Sequence, residues 1–151
     1  MTFDPNHDYG RGYTLLMNAA RDGDVREVRR LLDSGADVNR IETDDQGEMT
    51  ALAYAAAFGQ PQVIGMLTSA GANVDFQSRT GMRLTPLMHA AMGCDERCVK
   101  LLLDAGADRR LRNSSGETAF DYALLYRANA VRNQWDASDV GRMDRVVKLL
   151  S

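Results

Sequence analysis

The side chains able to do chemistry are few and scattered. His89, Cys94, Asp95 and Cys98 lie within ten residues and are the one place where nitrogen, sulfur and carboxylate donors crowd together. Three of them could begin a metal site, but a fourth ligand and a recognised ligand spacing are both missing. The other histidine, His7, lies in a polar N-terminal stretch. Glu42, Asp44, Asp45 and Glu48 form an acidic run without the spacing of a calcium loop. Only two lysines are present, Lys100 and Lys148, and neither follows a glycine-rich phosphate loop. HExxH and GxSxG are absent. No catalytic residue, cofactor or metal ligand is assigned on this basis. A metal-dependent or enzymatic protein using His89, Cys94 and Asp95 is kept as an alternative, as is a self-associating structural protein.

The elements that would hold such residues repeat along the chain. Thr85–Asp108 reads TPLMHAAMGCDERCVKLLLDAGAD. Thr85 can cap a helix that Pro86 starts, and Leu87, Ala90 and Ala91 give that helix a small apolar face. Asp95 caps a second helix, whose Val99, Leu102 and Leu103 fall at i, i+3 and i+4. Gly106 closes it. Each helix is too short to stand alone in water, so the pair must pack on neighbours. The pattern recurs from Thr14, from Thr50 and, in part, from Thr118, at spacings of 36, 35 and 33 residues. Val28, Ile64 and Val99 each lie 14 residues after their threonine, and Gly35, Gly71 and Gly106 lie 21 after it. Self-similarity at this period predicts a stacked array.

The residues TPL (85–87), the alanine pairs 19–20, 55–56 and 90–91, the leucine pairs 31–32 and 102–103, and the GAD or GAN endings resemble the ankyrin repeat. The histidine that family often places after TPL is replaced by Met17, Ala53, Met88 and Asp121. The resemblance implies one domain over residues 1–151, with repeats at about 10–42, 46–78, 81–113 and 114–151. The fold class is then all-α, an ankyrin-repeat solenoid of helix-turn-helix units joined by β-hairpin fingers. It also implies a non-catalytic module that binds another protein or peptide on its concave face.

Composition sets further bounds. The chain has 151 residues, 44% hydrophobic and 26% charged, with net charge −3. That balance opposes bulk nucleic-acid binding, which needs a concentrated basic surface. No apolar run spans a membrane, and the N-terminus lacks the pattern of a secretory signal, so the expected location is cytoplasmic; the expected free state is monomeric. Charge is uneven: residues 1–50 hold 6 basic and 11 acidic side chains, the remainder 12 and 10. The first spacer is acidic, whereas the next two carry Arg79 and Arg83, then Arg109, Arg110 and Arg112.

Four features yield specific expectations. On the first repeat's outer helix, Arg29 and Asp33 are placed to pair. The fourth repeat carries an insertion of 14 residues, about Ala128 to Gly141, and the only tryptophan, Trp135, is expected to tuck over the open end of the stack. His89 aligns with Asn18, Tyr54 and Tyr122, which predicts an internal ladder of polar and aromatic side chains. The residues preceding each threonine, Tyr13, Met49, Leu84 and Glu117, sit at the inner bases of the fingers, and three of these are apolar. With Phe58, Met92 and Tyr126 late in the first helices, Met49 and Leu84 predict an apolar strip, with Tyr13 at its start. Acidic Glu42, Asp44 and Asp45 and basic Arg79 and Arg83 would edge it as the charged rim of a partner site.

Overall fold

The structure, a computed structural model, describes residues 4–44 and 47–151, and of Asp44 the backbone alone. Four helix pairs follow one another. They are α1 (Leu15–Asp22) with α2 (Val25–Asp33), α3 (Ala51–Ala57) with α4 (Pro61–Ser69), α5 (Pro86–Met92) with α6 (Glu96–Asp104), and α7 (Ala119–Arg132) with α8 (Ala137–Leu150). The first helices stack as an inner row, α1 on α3 on α5 on α7, and the second helices as an outer row, α2 on α4 on α6 on α8. Between α2 and α3 the short strands β1 (Glu42–Asp44) and β2 (Gly47–Met49) pair antiparallel, with Glu42 opposite Met49.

Local chemistry explains the boundaries. Thr14, Thr50, Thr85 and Thr118 each accept a hydrogen bond from the backbone N–H three residues on, which satisfies a donor the helix leaves free. Asp24, Asp95 and Asp136 do the same for α2, α6 and α8. The outer helices of the three full repeats end before Gly35, Gly71 and Gly106, at φ +85°, +87° and +92°, a region open to glycine without steric cost. In the fourth repeat Asp121 answers Thr118 in both directions. Its Oδ2 accepts from the Thr118 backbone N–H at 2.7 Å and from its hydroxyl at 2.8 Å.

One core runs through the stack. Val28, Leu52, Ile64, Leu67, Val99, Leu102 and Val146 are fully buried, and the alanine pairs let the inner helices approach closely. Leu32 and Leu103, the second members of the leucine pairs, are only partly buried and pack on its edge, as do Phe120 and Leu149. Met17 and Met88, at the place where the family often has histidine, are buried instead and fill the space between repeats.

The spacers depart from expectation. Among the described residues only the first forms a strand pair. In the second, the Ser78 hydroxyl accepts from the Thr80 N–H at 3.1 Å and donates to the Thr80 carbonyl at 2.7 Å. In the third, the Asn113 side-chain oxygen accepts from the N–H groups of Ser115 and Glu117, both at 2.9 Å. Side chains here take backbone partners that a hairpin ladder would otherwise supply. The first spacer is stitched to the N-terminal stretch, Thr43 N–H to the Arg11 carbonyl at 2.8 Å, and the third spacer to the second, Ser114 N–H to the Met82 carbonyl at 3.1 Å. On the opposite side, the loops after the outer helices carry a second line of bonds. Asn6 accepts from the Asp37 N–H at 2.6 Å, Asn39 from the Asn73 N–H at 2.8 Å, and Asp75 from the Asp108 N–H at 2.9 Å.

Two further expectations are corrected. On α2 the ion pair joins Arg30 to Glu27, at 2.6 Å, in place of Arg29 with Asp33. The insertion does not fold Trp135 over the stack. It lengthens α7 and α8 to 14 residues each, and Trp135 lies in the turn between them, 48% exposed. Asp136 fixes that turn by capping α8, and the tight turn through Gln134, at φ +56°, leaves Trp135 outside. Ala130 and Met143 close the gap beneath, packed with Cys94.

Candidate functional site

Of the sequence-derived candidates, Tyr13 and Phe58 are brought together on the inner row, through Tyr54. Tyr13 and Tyr54 stand edge to face, ring centroids 6.1 Å apart, and Tyr54 leads on to Phe58 at 6.5 Å. This aromatic line crosses from the first repeat into the second. Polar contacts fix two of its members. The Tyr13 hydroxyl donates to Asn18 Oδ1 at 3.2 Å, and Arg21 Nη2 donates to the same oxygen at 2.8 Å. The Tyr54 hydroxyl donates to the Glu42 carboxylate. Phe58 is left with 57% of its surface in solvent at the end of α3.

The remaining candidates differ in exposure. Tyr13, Leu84, Met92 and Tyr126 are half-buried and lean on the core, and Met49 is half-buried at the end of β2. Phe58 is thus the projecting member of the row, not one of several. Glu42 is held by Tyr54, and Glu48 accepts from the Arg79 backbone N–H at 2.7 Å. Part of the acidic charge of the first spacer is therefore spent on the aromatic row and on the neighbouring spacer. The Arg79 side chain stays largely exposed, with its guanidinium 4.0 Å from Glu48. Arg83 is exposed too, at φ +56°. Asp45 lies outside the described residues, as does the side chain of Asp44.

Tyr54 is the functional candidate that sequence reasoning passed over. Its alignment with Asn18, His89 and Tyr122 pointed to it, but that column was read as internal. The structure divides the column. Tyr122 is buried, its hydroxyl accepting from Asn113 at 2.8 Å, whereas Tyr54 is half-exposed beside Phe58.

The alternative cluster has a different fate. Asp95 Oδ1 accepts from the Cys98 N–H at 2.9 Å as the cap of α6. Cys94 is buried, with its thiol 3.5 Å from the Ala91 carbonyl. Cys98 is completely buried, and burial with Asp95 alongside pushes its thiol up to about 12, where the reactive thiolate is scarce. His89 is depressed to about 4 by burial. Among the described residues no three His, Cys, Asp or Glu side chains converge as metal ligands. No described helix is long and apolar enough to cross a membrane.

A ladder of short helix pairs, with an inner row presenting side chains and spacers along one border, defines a repeat protein of the ankyrin class. A family profile described as ankyrin repeats (3 copies) matches residues 2–78 and 70–133. The chain belongs to the ankyrin repeat family. It is 34% identical over 142 residues to a mitochondrial disaggregase of Bos taurus, covering 72% of this chain and 20% of that protein. It is 37% identical over 116 residues to SH3 and multiple ankyrin repeat domains protein 1 of Homo sapiens, covering 75% and 5%. A putative ankyrin repeat-containing protein of Treponema pallidum is 33% identical over 116 residues, covering 77% and 38%. The chain thus spans well under half the length of each of these relatives. Ankyrin repeats are in general non-catalytic protein-interaction modules.

Proposed function

We propose that this chain binds a protein or peptide partner along its inner row, with Phe58 as the anchor. The observation that carries the reading is the exposure of Phe58, 57%, at the end of a line of aromatic rings. A large ring left in solvent on a rigid row, beside half-buried Tyr54, has the make-up of an interaction hot spot. Met92 and Tyr126 extend the apolar surface along α5 and α7, while Arg79 and Arg83 supply a charged rim. Tyr13, Met49 and Leu84 border it at the spacer bases. Glu42 supports the anchor indirectly, because its bond to Tyr54 holds the ring against which Phe58 rests. The module works as a binding surface in the cytoplasm, without catalysis of its own.

A displayed peptide library panned against the wild-type chain, with the retained clones then assayed one by one on a Phe58→Glu chain, where binding should be lost, tests the reading. Retained clones should lose binding to Met92→Glu and keep it on Arg29→Glu, whose site is on the outer row. All three variants should melt near the wild-type temperature. Clones that depend on Arg29 and ignore Phe58 would move the site to the convex side.

A further inference from the structure

The last inner helix carries a second apolar surface, independent of the row around Phe58. Of the seven large hydrophobic side chains that are exposed among the described residues, Leu124, Leu125, Val131 and Trp135 lie on α7 or in the turn after it. Leu124, Ala128 and Val131 recur at i, i+4 and i+7, one stripe of a helix. All three are exposed, and Trp135 follows four residues on.

The repeat register identifies this stripe. Leu124 corresponds to Ala20, Ala56 and Ala91, which are 0–1% exposed because the next inner helix lies on them. Leu124 is 39% exposed. The stripe is therefore the stacking face of the solenoid, left open and made bulkier. Its occupant is not another repeat stacked in the same way. Asp121 corresponds to Met17, Ala53 and Met88, all 0–2% exposed, and such a repeat would bury the Asp121 carboxylate without water, a costly step. The opposite end of the array offers no matching stripe either, since on α1, the inner helix there, only Asp22 is exposed.

Charge along α7 indicates what does fit. Asp121 stands in its first turn and Arg132 at its end, on the same flank of the stripe and about 16 Å apart along the axis. A second α7 running antiparallel about a two-fold axis sets Leu124, Ala128 and Val131 of one chain on those of the other. The small Ala128 lets the helices approach near the middle. The same rotation carries Arg132 of each copy to the height and flank of the other's Asp121, so that both ends of the interface pair opposite charges. An isologous contact of this kind is self-complementary and closes on itself. We propose that the occupant of the α7 face is a second copy of this chain, in a two-fold dimer through α7. This replaces the expectation of a monomer with a concentration-dependent equilibrium.

Trp135 is the only tryptophan and gives a local readout. Sedimentation and fluorescence are followed on the full chain over a dilution series reaching about 1 mM, the scale of weak contacts. The expected result is a doubling of mass with rising concentration, accompanied by a blue shift of Trp135 emission as the ring leaves water. Val131→Glu should raise the dissociation constant by about tenfold or more. Arg132→Glu should weaken association and reverse its dependence on salt, because like charges then face each other. Phe58→Glu and Arg29→Glu should leave it unchanged, which separates this face from the row around Phe58. A chain that stays monomeric to the top of the series, or a dimer indifferent to Val131→Glu, would overturn the proposal.

Discussion

His89 occupies on α5 the position that Asn18, Tyr54 and Tyr122 hold in the other repeats, and burial alone holds its pKa down to about 4. An unfolded histidine titrates near 6.5, so between these values the unfolded chain binds the extra proton. Stability contributed by the neutral ring is complete above pH 6.5 and is lost as pH falls toward 4, by up to about 3 kcal/mol. Urea unfolding of wild type and His89→Asn across that window should give a steeper pH slope for the wild type. The two cysteines make a second test at this scale. Burial raises both thiols, Cys98 to about 12. Alkylation of the folded protein at pH 8 should label neither Cys94 nor Cys98 in the time that denaturant allows both to react. Rapid labelling of Cys98 in the native state would mean that α6 opens readily.

At the scale of elements, the outer helices hold the array by one buried stripe each. Leu102 is fully buried on α6, and Leu102→Ala should cost about 2–5 kcal/mol in denaturant unfolding. Thr85→Ala should cost about 1 kcal/mol, the usual worth of a helix cap. These elements were legible in the sequence because threonine or aspartate caps the start of every helix except α4, whose Gln60 makes no side-chain cap bond, and glycine follows the outer helices of the three full repeats. That logic does not reach the turns, where a side chain competes for the nearby backbone. Trp135 was expected over the open end of the stack, yet the Asp136 cap and the Gln134 turn place it outside. The hairpin form of the spacers was carried over from the family, but Ser78 and Asn113 satisfy backbone groups by side chain in the second and third. Of the candidate site, the positions along the inner row were readable from the register. Their unequal exposure was not, since how far Tyr13, Leu84 and Met92 lean on the core depends on packing between repeats that spacing does not encode.

Among the described residues the helices pack between adjacent repeats, as in a stack. The asparagine and aspartate line along the outer loops gives that arrangement a mechanical meaning. Asn6, Asn39 and Asp75 each grip the loop of the following repeat, roughly one period further along the chain. Force applied to the two termini therefore loads these clasps in series, together with the helix contacts they flank, and a clasp that fails frees one repeat while the next still holds. Each release lengthens the chain by about 35 residues, or about 120 Å of extended backbone. Single-molecule stretching should give a sawtooth of about that contour increment. Replacing Asn39 by alanine should lower the force at which the first two repeats part, leaving the spacing of the teeth unchanged. The array would then yield under load as a row of separate fasteners, paying out length while most of its surface stays folded.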